Sequence, residues 1–423
     1  MASATLRHLV DLALPKPCEF GDENFAGDPL VREFCDRLAQ AHDLNLHFFV
    51  AWACPPDVTI VRSAAGSAII RSERLDTLLI EYFNLQSVHS KWSDDLAREV
   101  TTSAVLRWMS ELLIGYRHSG LALLAQRLRP PLPGLRLTSP FRDQTLASVP
   151  ELERVALQCA CLAHEVGHIL NPRRPGVTVD ESVDGLPLAA HIAWGDQACG
   201  YSEETLSALQ QHWRQHLNGP ALLSEVEADL FAFSSVVEFL CNALSYTLED
   251  SIRAALRAFE AQLFVCACKN TCSLLTTSVL RGTSKGDFVI EDYLVGAQYL
   301  ARARALVRRA GIVWAIAEQP DASPGTRDFN SYVRRIDSMI VAVQPFTALA
   351  AETLTHHAHM LFEQAHFLSQ QRDGAWLAAE IANLENSSDL RVELFEMLVA
   401  FGCPGSVNVV EYLRSMQMSA QAL

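Results

Sequence analysis

The residues best suited to chemistry form the sequence His164-Glu165-Val166-Gly167-His168. On an α-helix, residues four apart share a face, so the two imidazoles can point at one ion. Glu165 is rotated by about 100° from His164, which lets its carboxylate approach a water on that ion without binding the ion itself. Zinc suits this arrangement, because two neutral nitrogens hold the ion and an open position takes water. The spacing therefore predicts a zinc site with a general base beside it.

A two-histidine site needs a third protein ligand, and a second helix can provide it as a carboxylate. The segment 224–232 reads SEVEADLFA. Glu225 and Asp229 are four residues apart and so share a helical face. Glu225 can complete a His₂Glu site, while Asp229 can accept the other ring N–H of a ligating histidine. Glu227 is the alternative ligand, because two helical steps turn by about 200° and both glutamates cannot face one ion.

HEVGH followed by EVEADLFA resembles the gluzincin metallopeptidases, whose signature is HExxH with a downstream ExxxD on the next active-site helix. The E-x-E-A-D-x-x-A form is similar to the membrane prenyl-protein and HtpX-like proteases and to the soluble ImmA/IrrE proteases. Cytosolic proteases of the Lit type are a further analogy. The resemblance extends from roughly residue 150 to 235. It implies a zincin-like core in which a short sheet precedes the HExxH helix. An edge strand of that sheet would bind extended substrate, with 67–71 and 58–62 as the candidates.

The resemblance also implies an activity, which is zinc-dependent hydrolysis of a peptide bond in a protein or peptide substrate. One Zn²⁺ would be held by His164, His168 and Glu225, with Asp229 behind them. Glu165 would take a proton from the zinc-bound water and deliver one to the leaving amine. Five residues remain open as the donor that stabilises the transition state: His191, Tyr201, His212, His216 and Tyr246.

Two other interpretations stay open beside the peptidase. One is a catalytically silent regulatory or protein-binding module with a gluzincin fold, against which the intact Glu165 argues. The other is a wholly structural helical protein, which stoichiometric zinc in the purified chain would exclude. His356, His357, His359 and His366 form another histidine cluster, which we expect to be a solvated or packed helix because no carboxylate is suitably paired with it.

Composition limits the class of protein further. The chain has 423 residues, with 34 Lys+Arg and 49 Asp+Glu and a formal net charge of −15. Such an acidic chain is a poor binder of nucleic acid, because phosphate neutralisation needs a basic surface. We find no signal peptide and no apolar run of the roughly 18 residues that a membrane span needs. The 11 cysteines are irregularly spaced and indicate buried thiols in a reducing compartment, so we expect a cytoplasmic protein.

The elements that position the chemistry are a small sheet followed by helices. β-Branched and apolar runs at 44–52, 58–62 and 67–71 predict an N-terminal sheet. Pro150 and the acidic residues after it predict a helix over 151–170, and apolar spacing predicts another over 222–244. The fold class is therefore α+β and predominantly helical.

The domain organisation follows from these elements. We expect a zincin-like domain over residues 1–260, with a lid or specificity insertion at about 171–220, because this segment is rich in Pro, Gly and Asp. We expect a helical C-terminal domain over 261–423, which offers a surface for a partner or for self-association.

Overall fold

The computed structural model of the protein describes residues 2–13, 19–22, 29–52, 58–64, 66–89, 91–115, 118–130, 149–170, 220–319, 329–340 and 344–370. The strands are β1 (Glu19–Asp22), β2 (Leu46–Trp52), β3 (Val58–Ser63) and β4 (Gly66–Ser72). The helices are α1 (Ala2–Ala13), α2 (Pro29–Ala41), α3 (Glu73–His89), α4 (Asp94–Gly115), α5 (Ser119–Arg127), α6 (Glu151–Leu170), α7 (Pro220–Asn242), α8 (Leu248–Arg281), α9 (Lys285–Glu318), α10 (Phe329–Ile340) and α11 (Gln344–Gln370). The described part is mostly helical with a small mixed sheet, which confirms the α+β expectation.

The four strands of the described sheet lie in the order β1-β2-β4-β3. β2 runs parallel to β4, while β1 and β3 pair antiparallel with β2 and β4. One of the two candidate edge strands is therefore wrong, because 67–71 lies in β4, which has a partner strand on each side. The other candidate, 58–62, lies in β3, and no described strand pairs with the far side of β3.

Both faces of the sheet are covered by helices. Ile69 on β4 is buried in the main hydrophobic core, which includes residues from α2 to α11. Its neighbours Ala68 and Ile70 point the other way, into a smaller core with Phe49 of β2 and Val10 of α1. Alternate residues of β4 therefore serve two cores, as the two-residue period of a strand requires.

The helix α6 begins and ends where the sequence predicts. Pro150 precedes it, and Glu151 and Glu153 lie in its first turn, where carboxylates favour the positive end of the helix dipole. It packs mainly against α7, α8 and α2. α7 spans Pro220–Asn242, close to the predicted 222–244. Apart from Pro220, the expected insertion at 171–220 lies outside the described residues.

The central helix of the described core is α8, which is 34 residues long. Thr247 caps its N-terminus through the backbone N–H of Asp250, and Gly282 ends it in a left-handed conformation. α8 is the one described helix that is long and apolar enough to cross a membrane, and half of its most apolar window is buried inside the protein. The boundary expected near residue 260 falls within α8, and the main core contains buried residues from both sides of it.

Candidate metal centre

The site lies where α6 and α7 pack closely against each other. A Cβ atom added at Gly167 on α6 would lie 2.8 Å from the Cα of Ala228 on α7, which is closer than real side chains come. Ala228 is itself fully buried. Two small residues therefore let the two backbones meet at the point where α6 carries its histidines and α7 its carboxylates.

Three potential ligands face one another across this contact. His164 Nε2 lies 3.1 Å from His168 Nε2 and 3.4 Å from Glu225 Oε2. His168 Nε2 lies 3.2 Å from Glu225 Oε1. Among the described residues, this is the one group of three or more His, Cys, Asp or Glu side chains that could hold a metal ion.

The separations fit the donor set to a metal ion. Tetrahedral zinc with bonds of about 2.0–2.1 Å to nitrogen and oxygen places its ligand atoms roughly 3.3–3.4 Å apart. The three separations of 3.1, 3.2 and 3.4 Å lie close to that range. Two imidazoles and one carboxylate are also ligands that zinc accepts. The His-His-Glu group could therefore bind a metal ion.

Each histidine has a second partner on α7, through the ring nitrogen that faces away from the other ligands. His164 Nδ1 lies 2.9 Å from Asp229 Oδ1. His168 Nδ1 lies 3.3 Å from Ser224 Oγ. A partner at Nδ1 fixes the tautomer of an imidazole and leaves Nε2 as the nitrogen that can bind a metal. Asp229 therefore lies within contact distance of the His164 ring nitrogen that faces away from the ligands, and Ser224 contacts the corresponding nitrogen of His168.

Arg302 on α9 is a further residue of the site that sequence reasoning missed. Its Nε donates to Asp229 Oδ2 over 2.6 Å, and its Nη2 donates to Asp229 Oδ1 over 2.9 Å. Its Nη1 lies 3.1 Å from Glu225 Oε2. One guanidinium therefore contacts two carboxylates that lie one turn apart on α7. Both Arg302, at 6% exposure, and Asp229, at 0%, are buried.

The charges of the site favour a cation between the ligands. Burial lowers the pKa of His164, but Asp229 and Glu225 outweigh that effect and raise the pKa to about 10. Burial raises the pKa of Glu225, but His164, His168 and Arg302 together hold it well below its ordinary value. Burial likewise raises the pKa of Asp229, and Arg302 and His164 lower it by more. Both carboxylates are therefore ionised, and together they attract either a proton or a metal ion to the histidines.

The remaining predicted residues take different positions. Glu165 follows His164 on α6 and is partly exposed, and its charge is close enough to help raise the pKa of His164. Glu227 is partly exposed on α7, two residues from Glu225. Tyr246 donates its hydroxyl to Glu151, which lies roughly 20 Å before His164 along α6. Tyr246 is therefore not a donor for this site, and the other four candidate donors lie outside the described residues.

The second histidine cluster is partly packed and partly solvated, because His356 and His366 are exposed while His357 and His359 are half-buried. His359 Nε2 lies 3.2 Å from Asp292 Oδ2, and the ring of His357 contacts the carbonyl of Thr353 one turn earlier. Cys268 and Cys272 are buried in the main core, as expected for structural thiols. Neither these histidines nor these cysteines form a second metal-binding group among the described residues.

Comparisons with protein-family models, with curated proteins and with solved structures gave no match to this chain.

Proposed function

We propose that the protein is a zinc-dependent endopeptidase that hydrolyses a peptide bond of a protein substrate. The observation that carries this proposal is that ligand atoms of His164, His168 and Glu225 lie within 4.8 Å of one another. Glu165 lies on the same helix as the two histidines. This combination of three potential ligands and one further carboxylate beside them is what a hydrolytic metal site needs.

The roles follow from the positions of the side chains. A zinc ion held by His164, His168 and Glu225 would polarise the scissile carbonyl. It would also lower the pKa of a water molecule bound to it toward neutrality. Glu165 accepts the proton of the attacking water and later gives a proton to the leaving amine. Asp229 and Ser224 hold the two imidazoles with Nε2 facing inward.

The strand β3 supports a protein substrate in particular. Arg62 on β3 donates from Nη2 to the carbonyl oxygen of His168 over 2.6 Å, so this strand lies beside the C-terminal end of α6. An extended peptide can pair with the side of β3 that no described strand occupies. Its backbone would then run past the ligands in a fixed register, as endopeptidases require.

The test compares the full-length protein with Glu165→Gln. Metal analysis of both purified chains should give one zinc per protein, because Glu165 is not a ligand in this proposal. Both chains are then incubated with a mixture of denatured proteins, and new peptide N-termini are counted by mass spectrometry. We expect the variant to lose cleavage by a factor of about 10²–10⁴, the usual contribution of a general base.

Other outcomes would reject parts of the proposal. Zinc in both chains with no cleavage by either would favour a silent regulatory module. Equal cleavage by both chains would remove Glu165 from the mechanism. A wild-type chain without bound metal would leave only a structural role.

A further inference from the structure

We propose that Arg302 is a positioning residue of the metal site, which holds Glu225 and Asp229 in place and makes metal affinity depend on the docking of α9. The inference rests on the proposed function in one respect, namely that Glu225 is a metal ligand. It extends that proposal by bringing the region beyond α8 into the site, since Arg302 comes from α9.

The way in which Arg302 contacts Asp229 and Glu225 requires an arginine at this position. The Nε–Nη2 edge of the guanidinium binds both oxygens of Asp229, and Nη1 faces Glu225 Oε2 at 3.1 Å. A rigid planar fork can serve both carboxylates at once, whereas a lysine ammonium is a point charge and cannot reproduce this pattern. With Oε2 of Glu225 fixed by Arg302, the orientation of that carboxylate toward the two histidines is set before any metal arrives.

The charge of Arg302 and its positioning role predict opposite changes in zinc affinity when the residue is removed, so the two effects can be told apart. Arg302 is a cation 3.1 Å from an oxygen of the third ligand. If only its charge mattered, removing it would strengthen the binding of Zn²⁺, because like charges repel. If it positions Glu225 and Asp229, removing it weakens binding, because the ligand loses its orientation and His164 loses the fixed partner of its Nδ1.

The same helix offers a matched control. Arg309 lies two turns further along α9 and also contacts α7, where its Nε donates to Ser234 Oγ over 2.9 Å. Substitutions at Arg309 therefore change a contact between the same two helices without touching the carboxylates of the site.

The experiment measures zinc affinity in full-length wild type, Arg302→Lys, Arg302→Gln, Arg309→Lys and Arg309→Gln, by competition with a chromophoric chelator. We expect both Arg302 variants to bind zinc about 10–100-fold more weakly and both Arg309 variants to stay within about twofold of wild type. Visible absorption of Co²⁺ in the same proteins should change in shape only in the Arg302 variants. Circular dichroism of the metal-free proteins checks that each is folded.

Several results would overturn the inference. Zinc affinity in Arg302→Gln equal to or above that of wild type would show that Arg302 acts through charge alone or not at all. A wild-type chain that binds neither zinc nor cobalt would remove both this inference and the proposed function. Zinc binding that depends on Arg302, without any peptide cleavage, would keep the inference and remove only the endopeptidase.

A second measurement covers Arg302 variants that do not fold. Hydrogen exchange of the wild-type protein is followed with and without zinc. Zinc should slow exchange of the α9 amides around Arg302 more than that of those around Arg309. Equal protection at both positions would contradict the coupling.

Discussion

At the scale of single residues, substitutions at Glu225 and Glu227 distinguish a metal site on α7 from a helix that only carries solvated acidic residues. We expect Glu225→Ala to abolish tight zinc binding, because Oε1 and Oε2 of Glu225 lie 3.2 and 3.4 Å from the two histidine Nε2 atoms. Glu227→Ala should leave zinc affinity nearly unchanged, because its side chain points about 200° away around α7. Isothermal titration of both metal-free variants with zinc makes the comparison. Loss of affinity in Glu227→Ala alone would mean that the assignment of ligands on α7 is wrong.

The sequence identified the local members of the site because their relation is helical. His164 and His168, like Glu225 and Asp229, are placed by a spacing of four that any helix imposes. Arg302 reaches Asp229 across 73 positions of the chain, and no local spacing predicts such a contact. One signal was present, since Arg302 lies on a buried stripe of α9 with Leu306 and Ala310. An arginine at an inward position indicates a buried anionic partner.

At the scale of elements, the close contact of α6 and α7 depends on Gly167. We expect Gly167→Ala to destabilise the protein and weaken zinc binding, because the new Cβ would meet Ala228 Cα at 2.8 Å. The overpacking costs about 1–3 kcal/mol, which offsets the roughly 1 kcal/mol that alanine gains in a helix and leaves a net loss of up to about 2 kcal/mol. Urea unfolding and zinc titration measure the two effects.

Gly286 on α9 provides the control for this substitution. The nearest atom to an added Cβ there is Ser284 Oγ at 3.9 Å, so Gly286→Ala should be neutral or stabilise by up to about 1 kcal/mol. A Gly167→Ala protein as stable as wild type, with unchanged zinc affinity, would show that the helices can separate without loss.

The helices were easier to predict than the sheet, for a physical reason. Pro150 and the acidic first turn define the start of α6 from neighbouring residues alone. The order β1-β2-β4-β3 depends on the parallel pairing of β2 with β4, in which the strand between them in sequence is displaced to the outside. That pairing is non-local, so alternation within 58–62 and 67–71 could not tell which of the two segments becomes the outer strand.

At the scale of the whole molecule, one hydrophobic core joins the metal site to the helices after it. Val155 and Val166 of α6 belong to the same buried cluster as Phe264 of α8 and Phe362 of α11. Most of the stability of such helices comes from packing of this kind rather than from helix propensity. The metal site and the C-terminal helices should therefore share one folding transition.

Truncation tests this expectation against an independent domain over residues 1–260. A chain that ends at residue 260 keeps residues 248–260 of α8 and loses the rest of that helix, together with the buried partners Phe264, Leu275 and Phe362. Losing a buried phenylalanine typically costs about 3–5 kcal/mol, against a total stability of about 5–15 kcal/mol.

The truncated chain also lacks Arg302. We therefore expect no cooperative thermal transition and no tight zinc binding, measured by circular dichroism and zinc titration beside the full chain. A 1–260 chain that unfolds cooperatively and binds zinc as tightly as the full protein would establish a separate zincin-like domain, and it would show that α9 is dispensable for the metal site.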